Sequence, residues 1–179
     1  RDAALLVDAA GSVAGGPRLV SRFDTFRRQV APTSGAMGYA VPAAVAGSLV
    51  KGDSPVVGFV GDGGTLMSGQ ELATAVQHGS KPIILVINNN MYGTIRMHQD
   101  RDFPGHDYTV GLQNPDFAKW AESFGCHSEV VTKTDDFAPA FDRARKSGRA
   151  ALLELRVDPE MITTRTTLTA IREAALAKK

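Results

Sequence analysis

Between Gly61 and Gly93 the sequence reads as glycine turn, helix, strand and polar turn, with a further strand just ahead of it. An apolar run at 56–60 stops at Gly61-Asp62-Gly63-Gly64, and a second at 83–87 stops at Asn88-Asn89-Asn90-Met91-Tyr92-Gly93. Short apolar runs bounded by turn residues are the pattern of buried strands. Between the two, Ser68 followed three residues later by Glu71 predicts a capping box, and Leu72, Ala75 and Val76 predict a short apolar helix face. Gly79 and Pro82 predict its stop. Such a βαβ unit places both polar turns at the carboxyl ends of neighbouring parallel strands, where open α/β sheets bind ligands.

The residues at those turns suit a metal-bound phosphate. Asp62 offers a hard carboxylate oxygen beside the N–H groups of Gly61, Gly63 and Gly64, which no Cβ shields. Asn89 follows 27 residues later (89 minus 62), one helical crossover away. Its amide oxygen and the Met91 backbone carbonyl are candidates to join Asp62 around one ion, with phosphate oxygens and water completing the octahedron that magnesium demands.

Gly-Asp-Gly, about 25 intervening residues and then Asn-Asn resembles the signature of the thiamine diphosphate enzymes. The resemblance implies that Asp62, Asn89 and the Met91 carbonyl hold Mg²⁺, and that Gly61, Gly63, Gly64, Tyr92, Gly93 and Thr94 line the diphosphate. A second element carries the same likeness. Gly35-Ala36-Met37-Gly38-Tyr39-Ala40-Val41-Pro42-Ala43-Ala44 resembles the Gly-x-Met-Gly-aromatic-x-x-Pro-Ala-Ala string of acetolactate synthases and related decarboxylases. Read without the family, Met37 is a gap-filling apolar residue at the start of a helix running to about Val50. The resemblance makes it the wedge that bends the cofactor into a V, with the Gly35 carbonyl accepting a hydrogen bond from the cofactor's amino group and Ala36 beside it.

The rest of the chain adds strands and helices in alternation. Residues 4–7 predict a first strand, followed by a small-residue turn at 8–16. There the family places further diphosphate contacts, which points to Gly11 and Ser12, although a plain loop explains them equally well. His98, on the segment after Gly93, reads either as a proton carrier or substrate contact or as an exposed helix histidine. Ile95 stands where pyruvate decarboxylases carry a glutamate, and His98 where acetolactate synthases carry a tryptophan. Residues 100–109 predict a surface loop or lid. Asn114-Pro115-Asp116 predicts a helix start with Asn114 as the cap, and Phe117, Trp120, Ala121 and Phe124 form its core stripe up to Gly125. A strand at 126–131 follows, with Cys126 a small buried hydrophobe rather than a nucleophile. A helix from Asp135-Asp136, with Phe137, Ala140, Phe141 and Ala144 inward, a strand at 151–157 and a helical tail from Thr167 complete the pattern. Five or six strands interleaved with helices predict a three-layer α/β/α fold with a largely parallel sheet.

Composition excludes other classes. With 20 basic and 19 acidic residues and a net charge of +1, nothing favours nucleic acid or an anionic membrane. No apolar run approaches the length of a membrane span. One cysteine permits no internal disulfide, and a cytoplasmic setting is the expectation. No Gly-x-Gly-x-x-Gly opens a helix, which disfavours a dinucleotide enzyme. The resemblance covers about 4–157 and implies a diphosphate-binding domain of a 2-oxo acid decarboxylase or carboligase, expected as a piece of a longer chain. The glutamate that ionises the cofactor then comes from a pyrimidine-binding domain of the same or a partner subunit, in a homodimer or homotetramer. A separate beta subunit of a two-chain decarboxylase, or a non-catalytic relative that keeps the fold, remains open. The former would co-purify with a chain carrying the glutamate.

Overall fold

The structure is a computed structural model that describes residues 4–7, 29–52, 54–163 and 165–178. Six strands form one sheet: β1 (Ala4–Val7), β2 (Gln29–Val30), β3 (Val56–Gly61), β4 (Ile83–Asn88), β5 (His127–Val131) and β6 (Ala151–Arg156). Their order is β2-β1-β3-β4-β6-β5, and every pairing is parallel. The helices are α1 (Ala40–Lys51), α2 (Asp62–Ser68), α3 (Leu72–Gln77), α4 (Gly93–Asp102), α5 (Phe117–Ser123), α6 (Thr134–Lys146) and α7 (Leu168–Leu176). This is the α/β architecture expected from the alternating pattern.

Strand alternation divides the core into two layers. Val56 and Val60 of β3, Ile84 and Val86 of β4 and Leu152 of β6 face one side, where they meet Val41, Ala44 and Val45 of α1, Leu72 and Ala75 of α3 and Phe117 and Ala121 of α5. Val57, Ile83, Leu85, Ala151 and Leu153 face the other, against Ala140 and Ala144 of α6 with Phe137 and Phe141 at its margin. A strand buried on both faces favours apolar residues at every position, hence the runs in β3 and β4, while β6 breaks the rule at Glu154, a buried carboxylate between Leu153 and Leu155. The stripe Phe117, Trp120, Ala121 and Phe124 packs inward as its spacing predicts, and Cys126 is buried, with burial pushing its thiol up to about 11.

Sequence neighbours run to the left from β1 to β2 and to the right from β3 to β4. The strand order therefore reverses between β1 and β3, and the carboxyl end of β3 stands at the crevice this creates. Asp62 is the first residue beyond that end.

Four local expectations are corrected. Gly61-Asp62-Gly63-Gly64 is no turn: β3 runs straight into α2, with Gly61 as the extended N-cap and Asp62 as the first helical residue. The single crossover helix is two short helices joined by a 3₁₀ turn over Gly69–Glu71. Ser68 consequently caps nothing. It lies at the end of an existing helix and donates its hydroxyl to the Gly38 carbonyl, while Glu71 accepts from the Thr74 hydroxyl. The cap of α5 is Asp116, which accepts from the Lys119 N–H at 3.0 Å, because the Asn114 side chain is engaged elsewhere. Finally, Asp100, Arg101 and Asp102 belong to α4 rather than to a loop, and Asp100 is buried between two arginines.

Candidate functional site

Asp62 is almost completely buried at the junction of β3 and α2. Its Oδ1 accepts from the Gly63 N–H at 3.0 Å, and its Oδ2 accepts from Asn114 Nδ2 at 2.8 Å. Burial pushes the carboxyl above its ordinary range, against the opposing pull of the Asn114 amide and of backbone N–H groups. Among the described residues no cationic side chain pairs with Asp62, and a carboxylate buried in that way is strained in its charged form and gains from a metal ion.

In the first turn of α2, Gly63 stays bare because its neighbours need the room. A Cβ on Gly63 would overlap the Tyr92 ring and come within 3.3 Å of Met37 Cε. Met37, Gly63 and Tyr92 thus meet at one point, although they come from three separate segments. Gly35 and Gly38 bracket Met37 with positive φ (69° and 82°), backbone that glycine adopts without steric cost. Gly35 and Ala36 are exposed, and Met37 is half-buried.

At the end of β4 the three asparagines have different jobs. Asn88 is buried and donates to Glu154 Oε1 of β6 at 2.9 Å, while its own Oδ1 accepts from Asn114 Nδ2 and from the Asn90 N–H. Asn89 turns towards α4: its Oδ1 accepts from the Met91 N–H at 3.3 Å, and its Nδ2 abuts Gly93. Asn90 sits in left-handed backbone (φ 56°), a conformation asparagine tolerates, and sends Oδ1 towards Asn114 Nδ2. The Met91 carbonyl accepts from the Gly93 N–H at 3.0 Å. Tyr92, Gly93 and Thr94 then begin α4, whose outer face carries the exposed Ile95 and His98. Gly11 and Ser12 lie outside the described residues.

Asn114 is the site residue that sequence reasoning missed. A bridge between Met91 and Gly111, with Tyr92 N–H donating to Val110 O and Leu112 N–H to Asn90 O, holds its segment against the end of β4. The signal in the sequence was consumed by the helix start: Asn-Pro-Asp contains two residues fit for capping, and only one is used for it.

The described residues contain no cluster of three or more His, Cys, Asp or Glu, so the donors gathered here are one carboxylate, amide oxygens and backbone carbonyls. Hard oxygen donors of this kind fit magnesium or calcium rather than a soft metal. The buried Asp62 carboxylate and the unpartnered Asn114 Oδ1 both fit a metal ion at this strand end.

Residues 11–155 match the family model of the thiamine pyrophosphate enzyme C-terminal TPP binding domain. The chain belongs to this family. The acetolactate synthase large subunit of Haemophilus influenzae is 39% identical over 104 residues, covering 58% of this chain and 18% of that protein. The sulfoacetaldehyde acetyltransferase of Alcaligenes xylosoxydans is 31% identical over 146 residues, covering 78% and 24%. Among solved structures, the thiamine diphosphate-dependent 4-hydroxybenzoylformate decarboxylase of Rhodococcus jostii RHA1 superposes with a TM-score of 0.81 at 27% identity, covering 88% of this chain and 30% of that one. This TPP binding domain thus spans about a quarter or less of the length of those two curated relatives. Among its described residues no helix is long and apolar enough to cross a membrane.

Proposed function

We propose that this TPP binding domain anchors the Mg²⁺-diphosphate end of thiamine diphosphate in an enzyme that decarboxylates a small 2-oxo acid or transfers the resulting acyl unit. The observation that carries the reading is Asp62: a buried carboxylate at the sheet's switch point, ringed by amide groups and lacking a cationic partner among the described residues. When bound, the cofactor supplies the electron sink for loss of CO₂. The chain's own residues bind and orient it. Asp62, Asn89 and the Met91 carbonyl would hold the ion, the backbone at Gly63 and Gly64 would border the phosphates, and Gly93 and Thr94 would face them from α4. Met37, whose methyl group lies against Gly63, would be the wedge under a bent cofactor, with Gly35 and Ala36 at its side.

Turnover on this reading requires a pyrimidine-binding domain, of the same or a partner subunit, that brings the glutamate ionising the cofactor. On the same reading such units assemble as a homodimer or homotetramer. Three exposed apolar side chains support a covering domain at this edge: Leu66 and Met67 on α2 and Ile95 on α4 are each 44–50% exposed beside the site. His98 on the same exposed face is then placed to meet substrate.

Calorimetric titration of the intact protein with thiamine diphosphate in the presence of Mg²⁺ tests the reading. Saturable binding is expected that disappears when Mg²⁺ is chelated and in Asp62→Ala. Equal binding by Asp62→Ala would overturn it.

A further inference from the structure

Asn114 ties together groups from two strand ends. Its Nδ2 lies 2.8 Å from Asp62 Oδ2 beyond β3, 2.9 Å from Asn88 Oδ1 at the end of β4 and 3.3 Å from Asn90 Oδ1. An amide nitrogen has two hydrogens, so three oxygens converge on two donors. Its own Oδ1 is buried with no partner. One step deeper, Glu154 Oε1 accepts from Asn88 Nδ2 and from Arg156 Nε, while Glu154 Oε2 is buried and also unpartnered. The polar heart of the site therefore holds more acceptors than hydrogens. A partly satisfied buried network is costly for a protein by itself, and a cation relieves that shortage.

We propose that Asn114 is a positioning residue for the cation site. By donating to Asp62 and Asn88 together it sets the spacing of the two strand tips, and Glu154 fixes Asn88 from behind. The role rests on the metal reading given above and adds to it a residue acting through its neighbours, on neither substrate nor cofactor. The segment is built for this. Residues 110–112 are hydrogen-bonded to residues 90–92, and Asp116 is committed to the cap of α5, so Asn114 is held from both sides.

The test uses Mn²⁺ as the probe, titrated into the intact protein with thiamine diphosphate present and followed through the electron paramagnetic resonance of free Mn²⁺. Asp62→Ala is expected to abolish binding. Asn114→Ala is expected to weaken it about 10–100-fold with the stoichiometry unchanged, and Asn88→Ala to do likewise. Because both act on one network, the double variant should bind no more weakly than the weaker single one. Asn114→Ser, which keeps a donor of shorter reach, gives the same readout should the alanine variant not fold. Mn²⁺ binding undiminished in Asp62→Ala would remove the metal reading itself. Loss in Asp62→Ala together with Asn114 variants within twofold of wild type, or with losses at 114 and 88 that multiply, would overturn the positioning role alone.

Discussion

The ring of Tyr92 occupies the space that a side chain at position 63 would need, so the residue after Asp62 is kept bare by a residue from the neighbouring strand end. Gly63 and Tyr92 are separated by a whole helical crossover, yet no side chain can be added at 63 while the ring at 92 stays where it is. Gly63→Ala is expected to cost about 1–3 kcal/mol through overpacking, read as a lowered midpoint of thermal unfolding. Adding Tyr92→Ala should return most of that loss, because the overlap is removed. Strictly additive losses would show that the ring swings aside without cost.

Met37 makes a separate prediction, because its methyl group approaches the same glycine from another segment. The side chain is only half-buried, so Met37→Ala should change the unfolding midpoint little. If it is the wedge, the same variant should lower kcat sharply while Mg²⁺ still binds. Met37→Leu, similar in volume, should retain most of the rate. Parallel loss of folding and rate in Met37→Ala would make it ordinary core.

What was legible in the sequence followed from burial. The runs in β3, β4 and β6 lie in a sheet covered on both faces, and the spacing of Phe117, Trp120, Ala121 and Phe124 matches one side of a helix, so their periods survive in the residue order. The elements that were misread are those where a polar side chain has two competing partners. Ser68 has the form of a cap but bonds the Gly38 carbonyl, 30 residues away, and Asn114 has the same form but bonds Asp62, 52 residues away. No local pattern carries a choice settled by tertiary contact. Asp100 falls under the same rule: it stands at the head of a stretch that Pro104 and Gly105 mark as a loop, and its burial depends on Arg96 one turn back and on Arg172, 72 residues on.

That carboxylate yields a pH prediction. Asp100 is fully buried; its Oδ2 accepts from Arg96 Nε at 2.8 Å and its Oδ1 from Arg172 Nε at 2.9 Å, joining α4 to α7. Burial alone would push the carboxyl up, but the hydrogen bonds and charges of Arg172 and Arg96 outweigh it and hold it below its ordinary value of 3.8. A depressed carboxyl contributes stability that is present above its unfolded value and is lost as pH falls through the folded one. Asp100→Asn, which keeps the shape and loses the charge, is expected to cost about 2–3 kcal/mol at neutral pH, towards the low end for buried pairs because both arginines are partly in solvent. The difference in unfolding midpoint between the two proteins should shrink once the pH drops below 3.8. A gap that stays constant across that range would mean the arginines do not stabilise the charge.

The chain's single tryptophan, Trp120 of α5, offers the last test, because its ring packs against Gly69 in the 3₁₀ turn between α2 and α3. A Cβ on Gly69 would come within 2.5 Å of Trp120 Cη2 and 2.8 Å of Cζ3, the far edge of the indole. Trp120 itself is wedged edge-on between Phe117 and Phe124, with ring centroids 6.3 and 5.4 Å away, so it has little freedom to retreat. Gly69→Ala should therefore shift the tryptophan emission and cost about 1–3 kcal/mol. Trp120→Phe removes the atoms that collide while keeping an aromatic ring in the stripe. In that background Gly69→Ala should be nearly neutral, whereas an undiminished cost would place the strain in the backbone of the 3₁₀ turn and not at the indole edge.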